Sequence, residues 1–145
     1  RHLVDLLFSA AHGARHFKRF EHVYFHNCIY DQVYADSAFT EPIPLADLTR
    51  HFDGETRLVL VGDAYMYPGE LTQRFGAINW SDNNEEPGVR YLDQLADHFR
   101  GAAWLNPMSP SYWGAPSVQI IRRFFPMYPL TVEGVAALAA DLGQN

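Results

Sequence analysis

The feature that most constrains the fold is an aliphatic run within residues 57–63, which read Arg-Leu-Val-Leu-Val-Gly-Asp. Four consecutive aliphatic side chains predict a strand buried on both faces, as in a parallel sheet that is covered by helices. The run ends at Gly62 and Asp63, so a carboxylate follows a buried strand directly. Open α/β sheets bind their ligands at the carboxyl ends of the strands. Asp63 is therefore the first candidate site residue.

A second buried strand is predicted at residues 102–106, Ala-Ala-Trp-Leu-Asn, where Pro107 ends it. Helical patterns separate the two strands, so a parallel arrangement is expected. Asn106 would then lie beside Asp63, because parallel strands end at the same edge of a sheet. The pattern predicts an α/β fold: a doubly wound, mostly parallel sheet with helices on both faces.

Composition limits the classes of function. The 145 residues predict a single domain over residues 1–145, and 48% hydrophobic residues argue against disorder. A formal net charge of −6 disfavours nonspecific binding to nucleic acid or to anionic membranes. The single cysteine, Cys28, suits a reducing compartment, and we expect a cytoplasmic protein. The chain begins at Arg1 almost within a helical pattern, and we expect it to be part of a longer protein.

The remaining elements follow from periodicity and from turn residues. Residues 21–26 and 28–34 predict an antiparallel pair with a tight turn at Asn27, and residues 35–44 predict a loop broken by two prolines. Residues 125–130 contain Pro126 and Pro129, so a strand there must be short and lie at an edge. Apolar spacing predicts helices, which begin near residues 3, 45, 71, 89, 118 and 132.

Two groups of residues have the composition of a metal site. His12 and His16 are four residues apart on a predicted helix, and His22, His26 and Cys28 would share one face of a strand. Neither group has a further ligand at close spacing. Surface histidines and a packed thiol are the preferred interpretation.

The loop at residues 107–116 carries Tyr112 and Trp113 at its tip, near the expected site. Exposed aromatic side chains in such a loop can anchor a protein partner. They can equally pack back over the sheet, and the sequence does not decide between the two. Together with Asn106, these residues are the candidate partner-binding set.

In this order the chain resembles a von Willebrand factor A domain of the CoxE-like branch, which occurs in bacterial proteins that act beside MoxR-type AAA+ ATPases. The resemblance depends on four stretches taken in order. They are residues 16–19 with 24–27 (His-Phe-Lys-Arg and Tyr-Phe-His-Asn), residues 58–64 (Leu-Val-Leu-Val-Gly-Asp-Ala), residues 104–107 (Trp-Leu-Asn-Pro) and residues 125–131 (Phe-Pro-Met-Tyr-Pro-Leu-Thr).

The resemblance implies a Mg²⁺-dependent adhesion site, in which Asp63 corresponds to the family's water-mediated aspartate and Thr40 to its loop threonine. The family's main ligands come from an Asp-x-Ser-x-Ser loop after the first strand, and this loop is absent from the 145 residues. Mg²⁺ requires octahedral oxygen coordination, which one outer aspartate does not supply. The first strand would lie mid-sheet, between strands near Val23 and Leu58. We therefore expect a swapped segment, another chain or closure of the two strands to fill its place.

Three functions remain open from the sequence. The leading one is a non-enzymatic protein-docking module that uses Asp63, Asn106 and the Tyr112–Trp113 loop, with a MoxR-type ATPase as the implied partner and Mg²⁺ in the longer parent. The alternative is a metal-dependent hydrolase or phosphotransferase that uses Asp63, with His26 as acid or base. The third is a structural subunit with a decayed site. No phosphate-binding glycine loop or nucleophile elbow is present, which favours docking.

Overall fold

The structure is a computed structural model, and it describes residues 23–25, 28–29, 32–74 and 87–143 of the chain. Within these residues the chain is a mixed α/β fold that contains a three-stranded parallel sheet and an antiparallel hairpin. The elements are β1 (Gln32–Tyr34), β2 (Pro42–Pro44), α1 (Leu45–His51), β3 (Arg57–Val61), α2 (Gly69–Thr72), α3 (Gly88–His98), β4 (Gly101–Asn106), a 3₁₀ turn (Pro110–Tyr112), α4 (Pro116–Ile121), β5 (Met127–Pro129) and α5 (Val132–Gly143).

The parallel sheet has the strand order β3-β4-β5, and both predicted buried strands belong to it. Leu58 lies opposite Ala102 and Val61 lies opposite Leu105, so β3 and β4 end together. β5 lies at the edge of the sheet, as the two prolines around it predict. The arrangement is compatible with a Rossmann-like fold.

Hydrophobic side chains cover both faces of this sheet. Alternate residues of a strand point to opposite faces. On one face Ala103 and Leu105 pack with Leu138 and Leu142 of α5. On the other face Trp104 belongs to the larger cluster that also takes in the buried residues of α3 and α4 (Tyr91, Leu92, Leu95, Val118 and Ile121).

The loop predicted at residues 35–44 is wrong in its last part, because Pro42–Pro44 forms β2 and pairs with β1 in antiparallel register. The backbone N–H of Ala35 donates to the carbonyl of Glu41, which makes this a hydrogen-bonded pair. Alternation along the ladder then places Pro42 and Pro44 at positions that do not hydrogen-bond to β1. The missing N–H groups of the two prolines are therefore not needed.

Within the described residues, the predicted pairing of residues 21–26 with 28–34 is seen at Tyr24 and Tyr34, which form an antiparallel bridge. Two backbone hydrogen bonds of 2.7 and 2.8 Å join these residues. The predicted first helix and residues His12, His16, His22, His26 and Asn27 lie outside the described residues.

Two helix predictions are confirmed in detail. In α3 the predicted apolar stripe includes Leu92 and Leu95, both fully buried. The helix predicted from residue 132 is α5, and the hydroxyl of Thr131 caps it by accepting a hydrogen bond from the N–H of Gly134 at 3.0 Å. None of the helices in the described ranges is long and apolar enough to cross a membrane.

The outer edge of β3 is a distinctive feature of the sheet. Within the described residues, β3 pairs with β4 alone. The N–H of Gly62 donates to the carbonyl of Leu105, so the backbones of Leu58 and Leu60 also face β4. The backbones of Val59 and Val61 therefore face the other edge. No proline or bulge protects that edge, whereas natural sheet edges usually carry such protection, as β5 does.

Candidate functional site

The loop that follows β3 is held by three side chains, which bind three consecutive backbone carbonyls. The indole N–H of Trp104 donates to the carbonyl of Gly62 at 2.7 Å. The side-chain amide of Asn106 donates to the carbonyl of Asp63 at 3.0 Å. The hydroxyl of Ser117 donates to the carbonyl of Ala64 at 2.7 Å.

All three donors are buried, with exposed fractions of 1%, 0% and 1% for Trp104, Asn106 and Ser117. A buried polar group that loses its partner costs about 1–3 kcal/mol, so each bond has a strong reason to stay formed. The donors come from β4 and α4, while the acceptors all follow β3. The conformation of the loop is therefore fixed by the fold itself.

The carboxylate of Asp63 turns the chain away from the strand. Its Oδ1 accepts the N–H of Tyr65 at 3.0 Å, a local turn typical of aspartate. Ala64 then adopts a positive φ of 58°, which is uncommon for a residue with a Cβ atom. Ser117 stabilises this conformation from both sides, because its hydroxyl also accepts the N–H of Met66 at 3.1 Å.

Asn106 lies beside Asp63 as the sequence predicted, and its role in partner binding stays a prediction. Its side chain is fully buried. Its amide nitrogen binds the Asp63 carbonyl, and its Oδ1 accepts the N–H of Met108 at 2.9 Å. Asn106 therefore links the loop after β3 to the loop after β4 through its buried side chain.

The two aromatic residues of the loop after β4 differ in exposure: Tyr112 lies on the surface, and Trp113 is packed against the domain. Tyr112 is 63% exposed, whereas Trp113 is only 8% exposed. The indole N–H of Trp113 donates to the carbonyl of Met108 at 3.0 Å, and the guanidinium of Arg122 lies 5.4 Å from its ring centre. Trp113 therefore packs back on the domain, whereas Tyr112 is exposed, and their role in partner binding stays a prediction.

The structure adds two exposed aromatic residues that the sequence reasoning missed. Tyr65 and Tyr67 are 60% and 59% exposed, and they follow Asp63 in the same loop. Only one other large hydrophobic side chain is comparably exposed in the described ranges besides Tyr112, and that is Val132. The sequence signal for the two exposed rings is the alternation Tyr-Met-Tyr at residues 65–67. Met66 packs against the core and is partly buried, so the residues on either side of it are exposed.

Thr40 lies in the hairpin loop between β1 and β2 and binds a different carboxylate. Its hydroxyl donates to Asp36 Oδ2 at 2.6 Å, and its N–H donates to Oδ1 at 2.9 Å. Glu41 donates a further N–H to Oδ1. The hydroxyl of Thr40, with these backbone N–H groups, holds the pKa of Asp36 below its ordinary value. No hydrogen bond joins Thr40 to Asp63 in the part of the chain that the structure describes.

The described residues do not fit a complete Mg²⁺ site. They contain no cluster of three or more His, Cys, Asp or Glu side chains that could hold a metal ion. One oxygen of Asp63 is already used by Tyr65, and Cys28 is buried in the core. A Mg²⁺ ion beside Asp63 would need oxygen ligands from elsewhere, because it demands near-octahedral coordination.

Comparison with known proteins does not identify the chain. No family model, no curated protein and no solved structure matches it. The resemblance to the von Willebrand factor A domain stays a prediction from the quoted motifs.

Proposed function

We propose that this chain is a non-enzymatic protein-docking module. Its docking edge consists of the carboxylate of Asp63 and the rings of Tyr65, Tyr67 and Tyr112, which follow β3 and β4. The supporting observation is that an exposed carboxylate sits on a loop whose Gly62, Asp63 and Ala64 carbonyls are all bound by buried side chains.

A loop fixed in this way is suited to binding. A partner loses affinity when it must first order the surface that it contacts, and a preformed loop avoids that cost. Tyrosine is enriched among the residues that dominate binding energy at protein interfaces. Three exposed tyrosines beside one carboxylate therefore combine apolar contact area with a charge that sets the orientation of a partner.

The proposal extends to the fold family. The strands β3, β4 and β5 are parallel and alternate with α3 and α4, as in a doubly wound domain such as the von Willebrand factor A domain. On that basis we propose a MoxR-type AAA+ ATPase as the partner, with Mg²⁺ bound only where the longer parent supplies the main ligands. The proposed docking edge consists of protein groups alone, because the described residues lack a full set of metal ligands.

Docking is preferred to hydrolysis or phosphoryl transfer because of what surrounds Asp63. Phosphoryl transfer requires a phosphate cradle, several metal carboxylates, or both. Asp63 accepts a hydrogen bond from a backbone N–H and lies exposed on the surface, which suits a contact residue. His26, the acid or base of the enzymatic alternative, lies outside the described residues.

The test is a binding measurement between this chain and a purified MoxR-type ATPase by biolayer interferometry. Asp63→Asn is the main variant, because the amide oxygen still accepts the Tyr65 N–H while the charge is removed. We expect binding to weaken about tenfold, which corresponds to about 1.4 kcal/mol. The matched control is Asp93→Asn on the exposed face of α3, which should leave binding unchanged.

Two results would contradict the proposal. One is equal binding by the wild-type chain and by Asp63→Asn. The other is turnover of a generic phosphate ester that Asp63→Ala abolishes, because that result would make the chain an enzyme and Asp63 its reacting group.

A further inference from the structure

A groove runs beside Asp63, between residues 65–68 of the loop after β3 and residues 115–117 at the start of α4. Its volume is about 320 Å³, and none of the described residues that line it is charged. Pockets for small molecules span about 300–1,000 Å³, so this groove is at the lower end of that range. It has room for a few side chains of a peptide.

The two walls of the groove are held at a fixed separation. Ser117 on one wall is 1% exposed. Its hydroxyl donates to the carbonyl of Ala64 and accepts the N–H of Met66, so it links α4 directly to the opposite wall. The groove is therefore preformed and requires no rearrangement before a ligand enters.

The lining favours one class of peptide. Tyr65 and Tyr67 are largely exposed residues of one wall, and the lining also includes Pro68 and Pro116. The prolines have no N–H, so the walls offer few backbone donors for an added β-strand. Aromatic rings next to prolines are instead typical of surfaces that bind the polyproline II helix, whose backbone makes no internal hydrogen bonds.

The charge next to the groove indicates what accompanies the prolines. The carboxylate of Asp63 is exposed and lies two residues before Tyr65. The chain as a whole has a formal net charge of −6. A lysine or arginine in the peptide would be attracted to this rim, whereas an acidic peptide would be repelled.

We infer that the groove binds an extended, proline-containing segment of the partner protein, with a basic residue that contacts Asp63. This inference rests on the proposed function and names the chemistry of the partner. The tyrosine rings stack on the prolines, and their hydroxyl groups donate to peptide carbonyls. Asp63 sets the direction in which the segment lies.

The test uses fluorescein-labelled peptides of about ten residues, composed of proline with two lysines, and fluorescence polarisation on the full chain. We expect measurable binding that weakens about tenfold in Tyr65→Ser and in Tyr67→Ser, and several-fold in Asp63→Asn. A peptide with glutamate in place of lysine should bind less well, and one with alanine in place of proline should bind weakly.

The matched control is Val132→Ser, which removes an exposed hydrophobic side chain that neither lines the groove nor belongs to the docking edge. This variant should bind the peptide as the wild type does. Chemical shift changes of the wild-type chain give a second measurement that does not depend on how a variant folds. They should centre on residues 65–68 and 115–117.

The inference is overturned if the wild type does not bind the lysine peptide, if both groove variants bind it normally, or if the glutamate peptide binds equally well. These outcomes differ from failure of the proposed function. A chain that binds the ATPase through Asp63 but ignores the peptide retains the docking role and loses the groove. A chain that binds only the peptide retains the groove and loses the ATPase as its partner.

Discussion

The side-chain amide of Asn106 donates a hydrogen bond of 3.0 Å to the backbone carbonyl of Asp63, which joins the ends of β3 and β4. The bond has one consequence for each residue. Asn106 is fully buried and becomes part of the scaffold, whereas the Asp63 carboxylate is left on the surface. The candidate site therefore consists of an exposed group that buried groups hold in place.

The first prediction concerns the stability that Asn106 provides. Asn106→Leu has nearly the same size but leaves the Asp63 carbonyl and the Met108 N–H without their partner. Each unsatisfied group costs about 1–3 kcal/mol, so we expect a loss of about 2–5 kcal/mol in the free energy of unfolding. Urea denaturation measures it. Gln94→Leu, on the exposed face of α3, is the control and should change stability by less than about 0.5 kcal/mol.

The second prediction compares two glycines. A Cβ atom at Gly134 in α5 would fall on the backbone carbonyl of Pro129, whereas a Cβ atom at Gly114 would meet nothing within 4 Å. We expect Gly134→Ala to lower the free energy of unfolding by about 1–3 kcal/mol through overpacking. Gly114→Ala should be neutral or slightly stabilising. Equal midpoints of thermal unfolding for the two variants would contradict this expectation, because they would show that α5 can shift away from β5 without a loss of stability.

The third prediction concerns the carboxyl group of Asp36. The hydroxyl of Thr40 is the main cause that holds its pKa below the ordinary value of 3.8. Thr40→Val should therefore raise the pKa of Asp36 towards that value, as measured by carboxyl-carbon NMR during a pH titration. Thr72→Val is the control, because the hydroxyl of Thr72 binds only the carbonyl of Pro68. This variant should leave the pKa of Asp36 unchanged.

The same group makes stability depend on pH. A carboxyl group whose folded pKa is depressed stabilises the fold above its unfolded pKa and loses that contribution as the pH falls through the folded value. The advantage of the wild type over Thr40→Val should thus be full near neutral pH and should shrink as the pH falls below 3.8. A difference that stays constant through this range would exclude Asp36 as its source.

The sequence predicted the sheet well because strands buried on both faces have a distinctive composition. Residues 58–61 and 102–105 are apolar without interruption, and such runs leave few alternatives. β2 escaped prediction because Pro42 and Pro44 argue for a loop when taken alone. Their acceptance in a strand depends on the register with β1, which only the pairing reveals.

The sequence predicted where in the fold the candidate site lies, but not all the side chains that form it. Asp63 follows from the end of a buried strand, whereas the role of Ser117 depends on bonds to residues 51 and 53 positions away. Nothing in the local sequence marks those bonds. The burial of Trp113 was equally hard to predict. The local sequence around an aromatic loop residue does not show whether the ring is exposed or, as here, packed against Met108 and Arg122.

The last prediction concerns the outer edge of β3. The N–H groups of Leu58 and Leu60 face β4, so their hydrogen exchange should be slow in any state of the sheet. The N–H groups of Val59 and Val61 face the outer edge, where no strand is present among the described residues. Val59 and Val61 themselves pack against the cluster of α5, so an unpaired backbone here is costly.

We therefore expect the amides of Val59 and Val61 to exchange as slowly as those of Leu58 and Leu60, because either a segment of the same chain or a second chain, including a swapped segment from it, fills the edge. Hydrogen exchange followed by NMR at several protein concentrations distinguishes the two. Protection that rises with concentration, together with a dimer in solution, indicates a second copy of the chain. Protection that is independent of concentration indicates a segment of the same chain. Fast exchange at Val59 and Val61 beside slow exchange at Leu58 and Leu60 would mean that the edge is open, and the expectation of a filled strand position would be wrong.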